Sequence, residues 1–154
     1  MICCRCPKNQ PKRKEGKMIA IVCLDDKNGM SFNHRRQSRD VCLRTWMMEM
    51  TRGSRLWMSD YSAGQFSEKE REGIWVSNSF LEKAGEGDYV FVEDDALAPY
   101  ERKVEKLVVF RWNRVYPGDR YFDLDLTGGQ WHKAEMRDFT GKSHKRITME
   151  VYTR

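Results

Sequence analysis

At 154 residues the chain has the length of one domain and can bury a core without metal or disulfide staples. Its net charge of +5 sits at the front: residues 1–17 hold Arg5, Lys8, Lys12, Arg13, Lys14 and Lys17 against Glu15, and the remainder balances at 22 basic and 22 acidic side chains. A neutral body gives little general attraction for a phosphate backbone, which argues against nucleic acid as a partner.

No apolar run approaches a membrane span, so no membrane partner is expected. No charged start leads into an apolar stretch and small-residue cleavage site, so the expected compartment is the cytoplasm. Residues 1–17 have no hydrophobic period and contain Pro7 and Pro11, and they are expected to form a disordered basic leader outside the fold. Lys14-Glu15-Gly16 can be encoded by a strong bacterial ribosome-binding sequence, which makes Met18 the expected natural start. Cys3, Cys4 and Cys6 crowd the front, while Cys23 and Cys42 lie in apolar contexts. The odd count and irregular spacing do not read as a disulfide framework. His34, His132 and His144 are isolated, so no metal site is expected, and the paired-metal histidine cluster of a nuclease is missing.

Met18-Ile19-Ala20-Ile21-Val22-Cys23-Leu24 is a continuous apolar run, the pattern of a strand buried on both faces. Asp25 to Gly29 signals a turn, and a polar loop is expected through Arg36. Ser38 is a candidate N-cap for a helix whose Leu43, Trp46, Met47 and Met50 repeat at helical spacing, with a stop near Gly53. Residues 55–58 read as a second strand, and Ser59 or Asp60 caps a short helix running to about Phe66. A charged loop over 67–73 leads to a strand at 74–77. Residues 80–84 read as a short helical piece ended by Gly85 and Gly87, and 89–92 as a strand. Glu93-Asp94-Asp95 opens an acidic loop, with one helical turn expected over 99–104 and a strong strand over 107–112. Tyr121-Phe122 follows the Pro117-Gly118-Asp119 break, Thr127-Gly128-Gly129 is a turn, and 131–136 and 146–152 are the last strands. In the latter, Ile147, Met149 and Val151 alternate with Thr148, Glu150 and Tyr152, which predicts one buried face. Strands alternating with helices and then strands alone predict a three-layer α/β/α domain over 18–154. Its mixed sheet would be mainly parallel, with an antiparallel C-terminal edge.

This order and its local sequences resemble dihydrofolate reductase. The resemblance rests on Met18-Ile19-Ala20-Ile21-Val22 followed by Asp26-Lys27-Asn28-Gly29-Met30, on Leu56-Trp57-Met58-Ser59 and on Ile74-Trp75-Val76-Ser77. It rests most specifically on Gly118-Asp119-Arg120-Tyr121-Phe122, which matches the family's Gly-Asp-x-Tyr-Phe, with Trp131, Phe139 and the closing Tyr152-Thr153-Arg154 also in place. The resemblance implies hydride transfer from NADPH to folate or a related heterocycle. It implies Asp40 as the acid that helps protonate the substrate, and Ser59, Ser62 and Ser77 as cofactor contacts. It further implies a substrate cleft between Leu24, Asp40 and Phe110, with Arg71 near the arginine for the substrate's carboxylate; by charge alone, Arg35 and Arg36 of the arginine-rich segment are further candidate contacts.

The same residues depart from the family pattern. Phe110 stands where a threonine supports the acid, and it can neither donate nor accept a side-chain hydrogen bond. Asp60 replaces the phosphate-binding cation of the Gly-Arg-x-Thr turn, reversing the sign of that contact. Asn78 replaces the arginine for the 2′-phosphate, and no Gly-Gly segment follows Val92. NADP binding is therefore expected to be weak or absent. Asp40 also reads as an ordinary first-turn carboxylate favoured by the helix dipole. A second reading is a non-catalytic descendant that binds a small anionic or aromatic molecule in the retained cleft through His34, Arg35, Arg36, Arg39 and Arg44. RNA binding through the arginines and Trp112 is a third, weaker reading. The oligomeric state is not legible.

Overall fold

A computed structural model describes residues 17–154; the expected leader, apart from Lys17, lies outside the described residues. The described residues form ten strands: β1 (Met18–Leu24), β2 (Gly29–Phe32), β3 (Arg35–Arg36), β4 (Leu56–Met58), β5 (Ile74–Val76), β6 (Tyr89–Val92), β7 (Val104–Arg111), β8 (Arg120–Tyr121), β9 (His132–Phe139) and β10 (Ile147–Thr153). The helices are α1 (Val41–Met50), α2 (Asp60–Ala63), α3 (Glu68–Arg71) and α4 (Phe80–Lys83), with a 3-10 turn at Ala98–Lys103.

The main sheet has the order β5-β4-β6-β1-β7-β10-β9. β1 lies in its middle, parallel to β6 on one side and β7 on the other. β4 runs parallel to β5 and β6, whereas β10 and β9 close the far edge in antiparallel register. Because β1 is central, alternate side chains feed opposite cores. Met18, Ala20, Val22 and Leu24 pack with Phe80 and Leu81 of α4, Leu97 and Trp131. Ile19 and Ile21 pack on the other face with Leu43 and Met47 of α1, Phe66, Phe110 and Trp112. Both layers of the expected α/β/α arrangement are thus present, and each fully buried Leu or Met contributes about 2 kcal/mol by removal of apolar area from water.

Four expectations need correction. The polar loop through Arg36 contains a hairpin: β2 pairs with β3 and β8 in a small three-stranded sheet. Its two-residue turn is Asn33-His34, both at positive φ, the geometry that matches strand twist. Asp40, not Ser38, is the N-cap of α1, because its carboxylate accepts the Cys42 amide. The charged segment 67–73 contains α3, closed by a capping box in which Ser67 and Glu70 satisfy each other's amides. β10 is buried on both faces, not one: Ile147 and Met149 enter one core and Tyr152 the other. Its polar face is covered by pairing: Glu150 takes Arg111 at 3.1 Å and the Tyr152 hydroxyl at 2.9 Å, and Thr148 donates to Asp138 at 2.7 Å.

Candidate functional site

In an open α/β sheet, ligands sit beyond the carboxyl ends of the parallel strands. Here that end is occupied by the acidic run that follows β6. Glu93 is buried, with a side chain 7% exposed, and three residues donate to it. Arg36 grips it with Nε at 3.0 Å and Nη2 at 3.2 Å, Ser62 donates its hydroxyl at 2.8 Å, and Gln65 donates at 3.1 Å. The Arg36 guanidinium also lies 4.3 Å from the Tyr61 ring centre and donates to the Tyr61 carbonyl. A bidentate pair with this much support is rigid as well as charged.

Asp94 fastens the small sheet to the same edge. It accepts the Ser31 hydroxyl at 2.7 Å and Arg120 Nε at 3.1 Å, and His34 Nδ1 lies 2.9 Å away. Burial alone would raise its carboxyl, but these donors and the nearby cation hold it below the usual range. Asp95 has the opposite balance: burial and then the neighbouring Asp94 push its carboxyl up. An open cleft of about 340 Å³ lies here, lined by His34, Ser59, Tyr61, Asn78, Asp94 and Asp95.

The family-implied residues are not drawn together. Leu24 and Phe110 are both fully buried, but in the two different cores. Phe110 is in register with Cys23, so its side chain leaves the opposite face of the sheet from Leu24. It packs edge-on against Phe139 at 6.1 Å and cannot line a cleft with Leu24. Ser59 is the N-cap of α2, accepting the Ser62 amide, and Ser77 accepts the Ser79 amide at 3.0 Å. Arg71 is exposed on α3. Arg35 and Arg39 are exposed, whereas Arg36 is spent on Glu93; the arginine-rich segment does not assemble into an anion site.

Asp40 lies in a separate cluster. Its carboxylate caps α1 and accepts the Lys142 and Ser143 amides at 2.9 and 2.8 Å and the Ser143 hydroxyl at 3.2 Å, with His144 Nδ1 at 3.0 Å. Burial would raise this carboxyl, but the hydrogen bonds from His144, Lys142, Ser143 and Cys42 outweigh it and hold it far below the usual carboxylate range. The turn at Gly141 closes so tightly that an added Cβ would stand 2.6 Å from the Asp40 carboxylate and 2.9 Å from the His144 carbonyl. Beyond the ring, His144 Nε2 meets the Ser38 hydroxyl at 3.1 Å and the Tyr116 hydroxyl at 3.0 Å.

Sequence reasoning missed Glu93 and His144 as hubs. For Glu93 a signal existed: three acids directly after an apolar strand, at the end of the sheet where ligands bind. For His144 there was none, because its partner Asp40 lies 104 positions away.

No family model and no curated protein sequence matches the chain. Its fold is that of dihydrofolate reductase: it superposes on the solved dihydrofolate reductase from Enterococcus faecalis, complexed with NADP(H) and RAB-propyl, with a TM-score of 0.64 at 14% identity. The match covers 91% of this chain and 97% of that one. No described helix is long and apolar enough to cross a membrane.

Proposed function

We propose that this chain is a dihydrofolate reductase-like domain that binds a small aromatic cation and does not act as an NADPH-dependent reductase. The observation that carries this reading is the charge at the carboxyl end of the parallel strands. Glu93, Asp94 and Asp95 stand together there, and the nearby cations Arg36 and Arg120 are already paired to them. The similar enterococcal protein is a complex with NADP(H). A dinucleotide's phosphates need amides, hydroxyls and cations free to bind them.

The donors of this chain do not fit that need. The Asp60 amide donates to Asn78 and the Ser62 amide to Ser59, so two of the first amides of α2 are capped from within. The Ser62 hydroxyl is committed to Glu93, and Asp60 adds a further negative charge. No step is therefore assigned to the nicotinamide cofactor. Asp40 is read as the N-cap of α1 and the anchor of the 141–144 turn, not as a donor to a pterin, because its oxygens are filled and its proton is held off.

The cleft of His34, Ser59, Tyr61, Asn78, Asp94 and Asp95 offers an aromatic ring, two carboxylates and an amide. Those groups suit a flat ligand bearing a positive charge or several N–H donors. Thermal melts of the full chain test this. Benzamidine should raise the melting temperature, NADPH should leave it unchanged, and Asp95→Asn should remove the benzamidine response. A rise with NADPH and none with benzamidine would overturn the reading.

A further inference from the structure

We propose that Ser38, His144 and Asp40 form a charge-oriented nucleophile of the acyl-transfer type, able to open small esters. The inference stands apart from the acidic cleft and does not depend on what binds there. Three groups are in relay: Asp40 Oδ2 lies 3.0 Å from His144 Nδ1, and His144 Nε2 lies 3.1 Å from Ser38 Oγ. An ionised carboxylate can only accept, so His144 donates from Nδ1 and leaves the Nε2 lone pair facing the hydroxyl.

The support behind the base is as complete as the relay. Asp40 and His144 have side chains 0% and 3% exposed. The carboxylate is fixed by the Cys42, Lys142 and Ser143 amides, and the imidazole is stacked on Trp112 with ring centres 4.5 Å apart. A base held on its far side and on its face keeps one tautomer and one orientation, which is what activation of a serine requires. Ser38 itself is only half-buried. It lies just before α1, a ten-residue helix whose Val41 and Leu43 amides donate to no acceptor among the described residues. The positive end of that helix stabilises negative charge developing beside it. His144 also forms part of the wall of an open cavity of about 440 Å³, shared with Trp112, Asn113, Arg114, Lys145 and Arg146.

The chemistry balances with water as the only co-reactant. Ser38 Oγ attacks the ester carbonyl carbon as its proton passes to His144 Nε2. The carbon–oxygen bond to the leaving alcohol breaks as His144 hands that proton to the leaving oxygen. Water then attacks the acyl-Ser38 carbonyl, one of its protons passes through Nε2 to Ser38 Oγ, and the carboxylic acid departs. The Tyr116 hydroxyl, 3.0 Å from the same Nε2, competes with Ser38 for the lone pair.

The test is labelling of the full chain with a fluorophosphonate probe, with the modified residue located by peptide mass spectrometry. Labelling should fall on Ser38, vanish in Ser38→Ala, and drop at least tenfold in His144→Gln whose circular dichroism matches the parent. Tyr116→Phe should retain or increase it, and hydrolysis of 4-acetoxybenzoate should follow the same order across the variants. A purely structural cluster gives no labelling at Ser38, which overturns the proposal. Labelling that maps to Tyr116, or that survives His144→Gln undiminished in the folded variant, overturns it equally.

Discussion

Replacing Asp40 by alanine removes the N-cap of α1 and, in the same step, the acceptor for the Lys142 and Ser143 amides and the anchor of His144. A lost cap costs about 1 kcal/mol. Buried donors left without a partner cost more, so the total is expected near 3 kcal/mol by urea unfolding. A loss under 1 kcal/mol would show that water replaces the carboxylate at little cost. Asp95→Asn should act in the opposite direction. Burial and Asp94 raise its carboxyl in the folded state, so ionising it at neutral pH costs stability. The substitution should stabilise the chain by about 0.5 kcal/mol at pH 7, the gain shrinking as pH falls and the carboxyl protonates in both states. Denaturation at pH 7 and pH 4 would separate the two. The role of Asp40 was half legible in the sequence. A carboxylate at the front of a helix was visible, but Ser38 and Asp40 are equally good caps by type. The choice was made by amides from 142 and 143, which no local pattern reveals.

The hairpin of β2 and β3 has few apolar contacts of its own, since Phe32 is 47% exposed and Arg35 is exposed. It is held down by charge: Arg36 on Glu93, Asp94 on Ser31, and the Asn33 amide on Asp119 at 3.1 Å. Removing Arg36 leaves Glu93 buried with only neutral donors. Arg36→Ala is expected to cost about 3 kcal/mol, whereas Arg36→Met with Glu93→Met should recover most of it, because a buried pair repays its desolvation only while both members are present. Urea midpoints of Arg36→Met, Glu93→Met and the double form the cycle that measures this. Equal losses in the double and in the sum of the singles would mean that the pair is not coupled. The hairpin escaped sequence reading for a physical reason. Its turn is Asn33-His34, with histidine where glycine usually takes the second positive φ, so the usual Asn-Gly signal was missing. The Gly118-to-Phe122 motif was legible as a motif only. Its structural use emerges from β8 pairing with β2, and from a Gly118 whose added Cβ would meet the Gln37 amide nitrogen at 2.9 Å.

At the scale of the whole molecule, the strand pattern carried the architecture well: a continuous apolar run became the central strand, and the antiparallel pair closed one edge. What the pattern could not show is how many polar groups the sheet encloses. Asp25, Asp40 and Glu150 are all buried, and each ties elements distant in sequence. Asp25 accepts the Gly29, Lys27 and Tyr116 amides and the Gln37 side chain, and Glu150 accepts Arg111 and Tyr152. In each case burial raises the carboxyl but the donors outweigh it, leaving the folded-state value below the unfolded one. Such groups contribute stability that is fully present above the ordinary carboxylate range and is lost as pH falls through the folded-state values. The melting temperature should therefore change little between pH 7 and pH 5 and fall steeply below about pH 4. Because the three carboxylates fasten α1, the β2 hairpin and β10 separately, no single substitution should abolish the fall. Asp40→Asn and Glu150→Gln should each lower the melting temperature at pH 7 and reduce the slope below pH 4, and the double variant should reduce it further. Melts from pH 3 to pH 7 on the four proteins measure this directly. A parent curve that stays flat to pH 3 would mean that the folded and unfolded chains take up protons alike, so that the donors do not hold these carboxyls below their ordinary range.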